Sequence, residues 1–198
     1  MTIEGIGMRS TLVSAGLAAA IAIVSLAHAA DVVAGKEKAE MCIACHGEGG
    51  VSQIENTPSL AGQPDEFIQW QLAFFRAGIR KNEQMQEVVG PLNKEDIRNL
   101  SAYFASLTPP KGKQDDNPDL SRKGAQAAAD RGCIACHGDY SGSKAVPRLA
   151  GQRQDYLLKA LYDYKSGVRS GGLPRMESVA LSLSEEEIEA LAHYLAHL

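Results

Sequence analysis

Two five-residue stretches of this chain hold the side chains best suited to chemistry: Cys42-Ile43-Ala44-Cys45-His46 and Cys133-Ile134-Ala135-Cys136-His137. Each offers two thiols separated by two residues, followed at once by an imidazole. A disulfide across so short a loop would leave the adjacent histidines unexplained. A redox dithiol of the thioredoxin type needs a βαβ setting, which the surrounding sequence does not provide. Zinc would want four clustered ligands, whereas each stretch supplies three and no fourth Cys or His lies near it. The pattern fits covalent haem attachment. Two thiols on one helical turn add to the two vinyl groups along one porphyrin edge. The following histidine then lies under the ring and gives an imidazole nitrogen to iron.

An iron so held needs a ligand on its other face. The histidines are His28, near the N-terminus, His46 and His137, already committed, and His193 and His197 in the last helix. The first stretch therefore has no spare histidine. It does have Met85, 39 residues after His46, and Met176 lies 39 residues after His137. A lone methionine is usually core filler, but the matched spacing points to Met85 and Met176 as axial thioether ligands, each on the loop before a last helix. His193 aligns with Ala102 and reads as a surface residue. Further out, the carbonyls of Pro58 and Pro147 could accept the imidazole N–H and fix its tautomer, or the two prolines could simply mark a bend. Arg80 and Arg169 could pair with haem propionates, or be ordinary surface arginines.

The elements that must position these groups occur twice. Pro58 and Leu60-Ala61-Gly62-Gln63 return as Pro147 and Leu149-Ala150-Gly151-Gln152, and Ile97, Leu100, Tyr103 and Leu107 return as Ile188, Leu191, Tyr194 and Leu198. This is a tandem duplication of one small domain. Residues 109–120, with three prolines and no large apolar side chain before Leu120, read as an exposed, semi-rigid linker between separate cores at 30–108 and 121–198. Helical spacing of apolar residues dominates and no stretch alternates convincingly, so the fold class is all-α. A first helix is expected over 34–43 and 121–134, a second after Pro64 and Arg153, and a last one from Asn93 and Ser184. Gly35 and Gly124 would let the first helix of each copy approach Tyr103 and Tyr194 of the last.

The chain has 198 residues, 44% of them hydrophobic, with 20 Lys+Arg against 24 Asp+Glu. Those proportions describe a folded protein, and the net charge of −4 argues against a nucleic-acid partner. The charge is uneven: residues 31–110 hold 7 basic and 11 acidic side chains, residues 121–198 hold 10 and 9. Such a dipole orients docking with redox partners. It also leads to the expectation that the C-terminal haem has the higher potential, because positive surroundings favour the reduced iron. At the N-terminus, Arg9, the apolar run from Leu12 to Ala27 and Ala27-His28-Ala29 read as a cleavable export signal over 1–29. The run is shorter than the span of about 20 residues that a membrane helix needs. The mature chain is then exported and periplasmic.

Taken together, the two haem motifs, the repeated Pro-x-Leu-Ala-Gly-Gln segments, the single downstream methionines and the export signal resemble the cytochrome c4 family over the whole mature chain. The resemblance implies two class I cytochrome c domains with their haems facing across the domain interface, propionates inward. It implies His46 with Met85, and His137 with Met176, as axial pairs, and it favours the hydrogen-bonding role of Pro58 and Pro147. It further implies a monomeric, non-enzymatic electron carrier between a quinol-oxidising complex or similar donor and a terminal oxidase, with peripheral membrane association. A competing expectation is the dihaem subunit of a sulfide- or sulfur-compound-oxidising flavoprotein dehydrogenase. A dihaem peroxidase or thiosulfate-oxidising enzyme would need an open iron position, which two methionine ligands deny.

Overall fold

The computed structural model describes residues 1–2, 29–170 and 174–198. The export signal expected over 1–29 therefore lies almost wholly outside the described residues. The N-terminal half contains α1 (Val32–Lys38), α2 (Glu40–His46), α3 (Asp65–Arg76), α4 (Glu83–Val89) and α5 (Lys94–Ser106). The C-terminal half repeats the order with α6 (Pro118–Asp130), α7 (Ile134–His137), α8 (Gln154–Lys165), α9 (Pro174–Ser182) and α10 (Glu185–Ala196). Among the described residues there is no strand, only one isolated bridge between Ser143 and Val146.

Two details differ from the expectation of three helices per copy. The first helix is broken at Ala39, and its counterpart stops at Asp130, so Cys42, Cys45 and Cys136 sit on a short second helix, with Cys133 at the N-cap of α7. The methionines are not on loops but in short helices. Asn82 starts α4 by accepting the N–H of Met85 at 2.8 Å, which supplies the cap that seven residues need to hold a helical turn. The last helices begin as anticipated. Asn93 with Asp96, and Ser184 with Glu187, each close a capping box in which both reciprocal bonds form.

Each half builds its own core around a crossing of its first and last long helices, α1 on α5 and α6 on α10. Ile68, Phe75, Val89, Leu92, Ile97, Leu100 and Phe104 are buried in the first. Ala127, Ala128, Leu183, Ile188 and Leu191 are buried in the second, with Leu157, Ala192 and Leu195 beside them. The strap between the halves is seated rather than free. Pro109 lies against Gly62, the Pro110 carbonyl against Gly151, and Asn117 already caps α6, which begins at Pro118.

The repeated Leu-Ala-Gly-Gln segments join the halves. Gln63 donates to the Arg148 carbonyl at 2.9 Å and accepts the Arg148 N–H at 3.0 Å. Gln152 does the same with Ser59, both bonds measuring 2.9 Å. Because Gln63 corresponds to Gln152 and Ser59 to Arg148 in the repeat, the contact is a pseudo-two-fold exchange, the same patch used by both sides. Both glutamines are buried. Gln63→Ala or Gln152→Ala should each lower unfolding stability by about 1–3 kcal/mol, since a buried N–H and C=O lose their partners together. Denaturant titration of the single variants measures it.

Candidate functional site

In each half the thiols and imidazole are carried by a short helix, α2 or α7 with its N-cap Cys133, whose exit glycine turns the chain toward the loop holding Pro58 or Pro147. Cys42, Cys45 and Cys133 are half-buried and Cys136 is exposed; all four are free thiols. Burial, together with the neighbouring Cys45, pushes the Cys42 thiol up to about 11, and burial also raises Cys133. Reactive redox dithiols instead hold the attacking thiol at a depressed pKa, the opposite direction to that of Cys42 and Cys133.

His46 and His137 are both buried. Nδ1 of His46 lies 2.8 Å from the Pro58 carbonyl, and Nδ1 of His137 lies 3.2 Å from that of Pro147. A carbonyl only accepts, so Nδ1 carries the proton and Nε2 is left with a lone pair for a metal. Burial lowers the pKa of both rings, opposed by the carbonyl contact, and nearby Arg80 lowers His46 further. Both imidazoles are thereby held neutral, the form that ligates iron. Met85 packs, half-buried, against the first core. Met176 is half-buried on α9.

Arg80 and Arg169 are not surface residues. They meet between the halves and share two partners, one from each side. Arg80 reaches Gln71 Oε1 at 2.6 Å and the Tyr156 hydroxyl at 3.2 Å; Arg169 reaches the same two atoms, each at 3.4 Å. Each guanidinium lies over an aromatic ring, Phe75 for Arg80 at 4.4 Å and Tyr164 for Arg169 at 4.5 Å. Burial alone would raise the Tyr156 phenol, but the two guanidiniums outweigh it and bring it down to about 7. Among the described residues no carboxylate lies within ion-pairing distance of either arginine. Nε of Arg169 is buried with no hydrogen-bond partner among the described residues. Two cations packed together without counter-ions, one with an unspent donor, fit an anionic group such as a haem propionate. The thiols, neutral imidazoles and arginine pair thus fit two c-type haems.

One expected surface residue proves buried. His193 is 3% exposed, and its Nε2 lies 3.0 Å from Oδ1 of Asp115 in the strap. The repeat alignment paired it with an alanine and carried no trace of the strap folding back over α10. The roles of Gln63, Gln152, Gln71 and Tyr156 were also unread in the sequence. For the glutamines the signal was available, as buried polar residues retained in both copies of the repeat.

Comparison with known proteins agrees with this geometry. Residues 121–198 match the family model described as cytochrome c, and residues 33–104 match that of cytochrome C oxidase, cbb3-type, subunit III. Cytochrome c4 of Azotobacter vinelandii is 35% identical over 90% of this chain and 94% of its own. The crystal structure of reduced recombinant cytochrome c4 from Pseudomonas stutzeri superposes with a TM-score of 0.79 at 34% identity, covering 86% of this chain and all of that one. A thiosulfate dehydrogenase electron acceptor from Thiomonas intermedia is 33% identical over 80% of this chain and 79% of its own.

Proposed function

Because this chain belongs to the cytochrome c4 family, we propose that it carries electrons in the periplasm from a quinol-oxidising complex to a terminal oxidase. The protein is a dihaem electron-transfer protein with two covalently bound haem c groups. When bound, each haem supplies an iron that changes by one electron. In this reading Cys42 and Cys45 would hold one haem covalently and Cys133 and Cys136 the other, and His46 with Met85 and His137 with Met176 would ligate the two irons. Pro58 and Pro147 hold the imidazoles neutral and oriented through their carbonyls. The half-exposed thiol edges leave each station open to a docking partner.

The observation that carries the proposal is the arginine pair shared across the halves. Arg80 sits close enough to His46 to act on its charge, and shares Gln71 and Tyr156 with Arg169. That arrangement supports one two-station electron path rather than two independent sites. The unequal charge of the halves supports docking by an oriented dipole. No helix among the described residues is long and apolar enough to cross a membrane.

Two measurements test this. The purified protein should show two c-type haems per chain by alkaline pyridine absorption. The reduced protein should be oxidised by oxidase-containing membranes at a rate that falls as ionic strength rises from about 0.01 to 0.15 M, where the screening length shortens from about 30 to 8 Å. A second reading follows from the Thiomonas relative, that the donor is a sulfur-compound dehydrogenase. Rapid reduction by thiosulfate dehydrogenase, with no oxidation by the membranes, would replace the first proposal with the second.

A further inference from the structure

We infer that Asp115, Asp116, His193 and His197 form a binding site for one divalent transition-metal ion of the zinc class, which clips the interdomain strap to the terminal helix. One candidate ligand atom from each of the four residues can be chosen so that all lie within 4.8 Å of one another. His193 Nε2 stands 3.0 Å from Asp115 Oδ1 and 3.9 Å from Asp116 Oδ1, and His197 Nε2 stands 3.9 Å from Asp116 Oδ1. Tetrahedral zinc with bonds of about 2.0–2.1 Å places its ligands about 3.4 Å apart, a spacing these distances bracket. Small side-chain rotations would close the set without moving the backbone. Asp116, 82% exposed at its side chain, has the freedom to make the largest of them.

Three features distinguish the group from a chance meeting of charges. The histidines are four residues apart at the end of α10, their ring centroids 4.1 Å apart at a 35° tilt, which brings both imidazoles to one face. His197 Nδ1 lies 2.7 Å from the His193 carbonyl, so it carries the proton and leaves Nε2 free to ligate; metal-bound histidines are oriented in the same way. The strap is also held in place against them. At Gly112 a side chain would collide with the backbone carbonyls of His197 and Leu198, at 2.5 and 2.4 Å, so the chain passes directly against the helix end before reaching Asp115. Asp115 is steadied by the Asn117 N–H at 2.9 Å, and the Ser121 hydroxyl, buried without a partner of ordinary geometry, faces it.

The donor set selects the ion. Two imidazoles disfavour calcium and magnesium, which prefer all-oxygen shells, and suit zinc, copper or nickel. Two carboxylates neutralise the double charge. The site lies in neither thiol motif and none of its residues belongs to the arginine pair, so its occupancy leaves the haem ligands untouched.

The test uses the haem-loaded protein, in which the cysteines are consumed and cannot compete for metal. Calorimetric titration with zinc chloride near neutral pH should give one ion per chain and raise the thermal unfolding midpoint. His197→Gln and Asp116→Asn should each weaken binding by at least about 10-fold and remove the midpoint shift, with haem absorption unchanged. Asp116 is too exposed for its replacement to threaten folding. Absence of zinc binding in the parent, or binding that survives both replacements, would overturn the site.

Discussion

Replacing Met85 or Met176 by leucine should abolish the methionine–iron charge-transfer absorption of one haem and open that iron to carbon monoxide. The midpoint potential of that haem should drop by on the order of 0.1 V, within the roughly 0.8 V that axial ligation spans. The physical ground is the softness of a thioether, which favours ferrous iron over ferric. Leucine is the decisive replacement because it conserves volume. A methionine acting only as core filler would tolerate it at a cost below about 1.5 kcal/mol, with no spectral change. Met85 packs against the same cluster as Leu72 and Phe75, so the structural role is a real competitor and the spectrum decides between them. Its backbone is held by the Asn82 cap, which survives the substitution. Unchanged spectra and potentials in both variants would remove methionine ligation from the scheme.

The same two variants order the potentials. Arg80 and Arg169 converge on one shared site, so they act on both stations and cannot by themselves separate them. What remains is the difference between 7 basic and 11 acidic residues in the first half and 10 and 9 in the second. That difference favours the reduced state of the C-terminal iron. In Met85→Leu the retained native potential should therefore be the higher of the parent's two, and the reverse order would sink the idea.

Much of the site could be read directly from residue types. Cys-x-x-Cys-His is local chemistry, and local chemistry needs no knowledge of packing. The duplication, read against itself, pointed to Met85 with Met176, at equal spacing from the histidines, and to Pro58 with Pro147, at matched places in the repeated Pro-x-Leu-Ala-Gly-Gln segments, because a pattern kept in two copies carries information that a single copy lacks. The helix starts at Asn93 and Ser184 were legible for the same reason of locality, since a capping box spans four residues.

What escaped depends on contacts between distant segments. His193 looked like a surface residue because nothing in the periodicity of α10 reveals a strap crossing over it; the buried imidazole is satisfied by Asp115, 78 residues away in the chain. The meeting of Arg80 with Arg169 depends on how two separately folded cores dock. That docking is written in Gln63 and Gln152, whose side chains mimic a backbone donor–acceptor pair across the interface. The short helices holding the methionines were missed because seven to nine residues give too few turns for apolar periodicity to show.

Gly124→Ala should be the most destabilising single methyl addition in the C-terminal domain, lowering its unfolding free energy by about 3 kcal/mol, the upper end of ordinary overpacking. A Cβ at this position would stand 2.1 Å from the Ala190 carbonyl oxygen and 2.5 Å from Cβ of Tyr194. Neither obstacle can yield alone. The carbonyl belongs to the backbone of α10, and the Tyr194 ring is held edge-on against Tyr140 at 5.9 Å. The clash can be relieved only by parting α6 from α10, the pair that buries Ala127, Ala128, Ile188 and Leu191. Alanine's better helix propensity returns only about 1 kcal/mol. Gly35 stands in the same relation to α5, with a Cβ 2.1 Å from the Asn99 carbonyl oxygen, so Gly35→Ala should reproduce the loss in the other domain. Denaturant unfolding of the haem-loaded variants, followed by Soret absorption and by far-ultraviolet circular dichroism, measures both. A loss below about 1 kcal/mol in each would mean that the helices cross less closely than these contacts require.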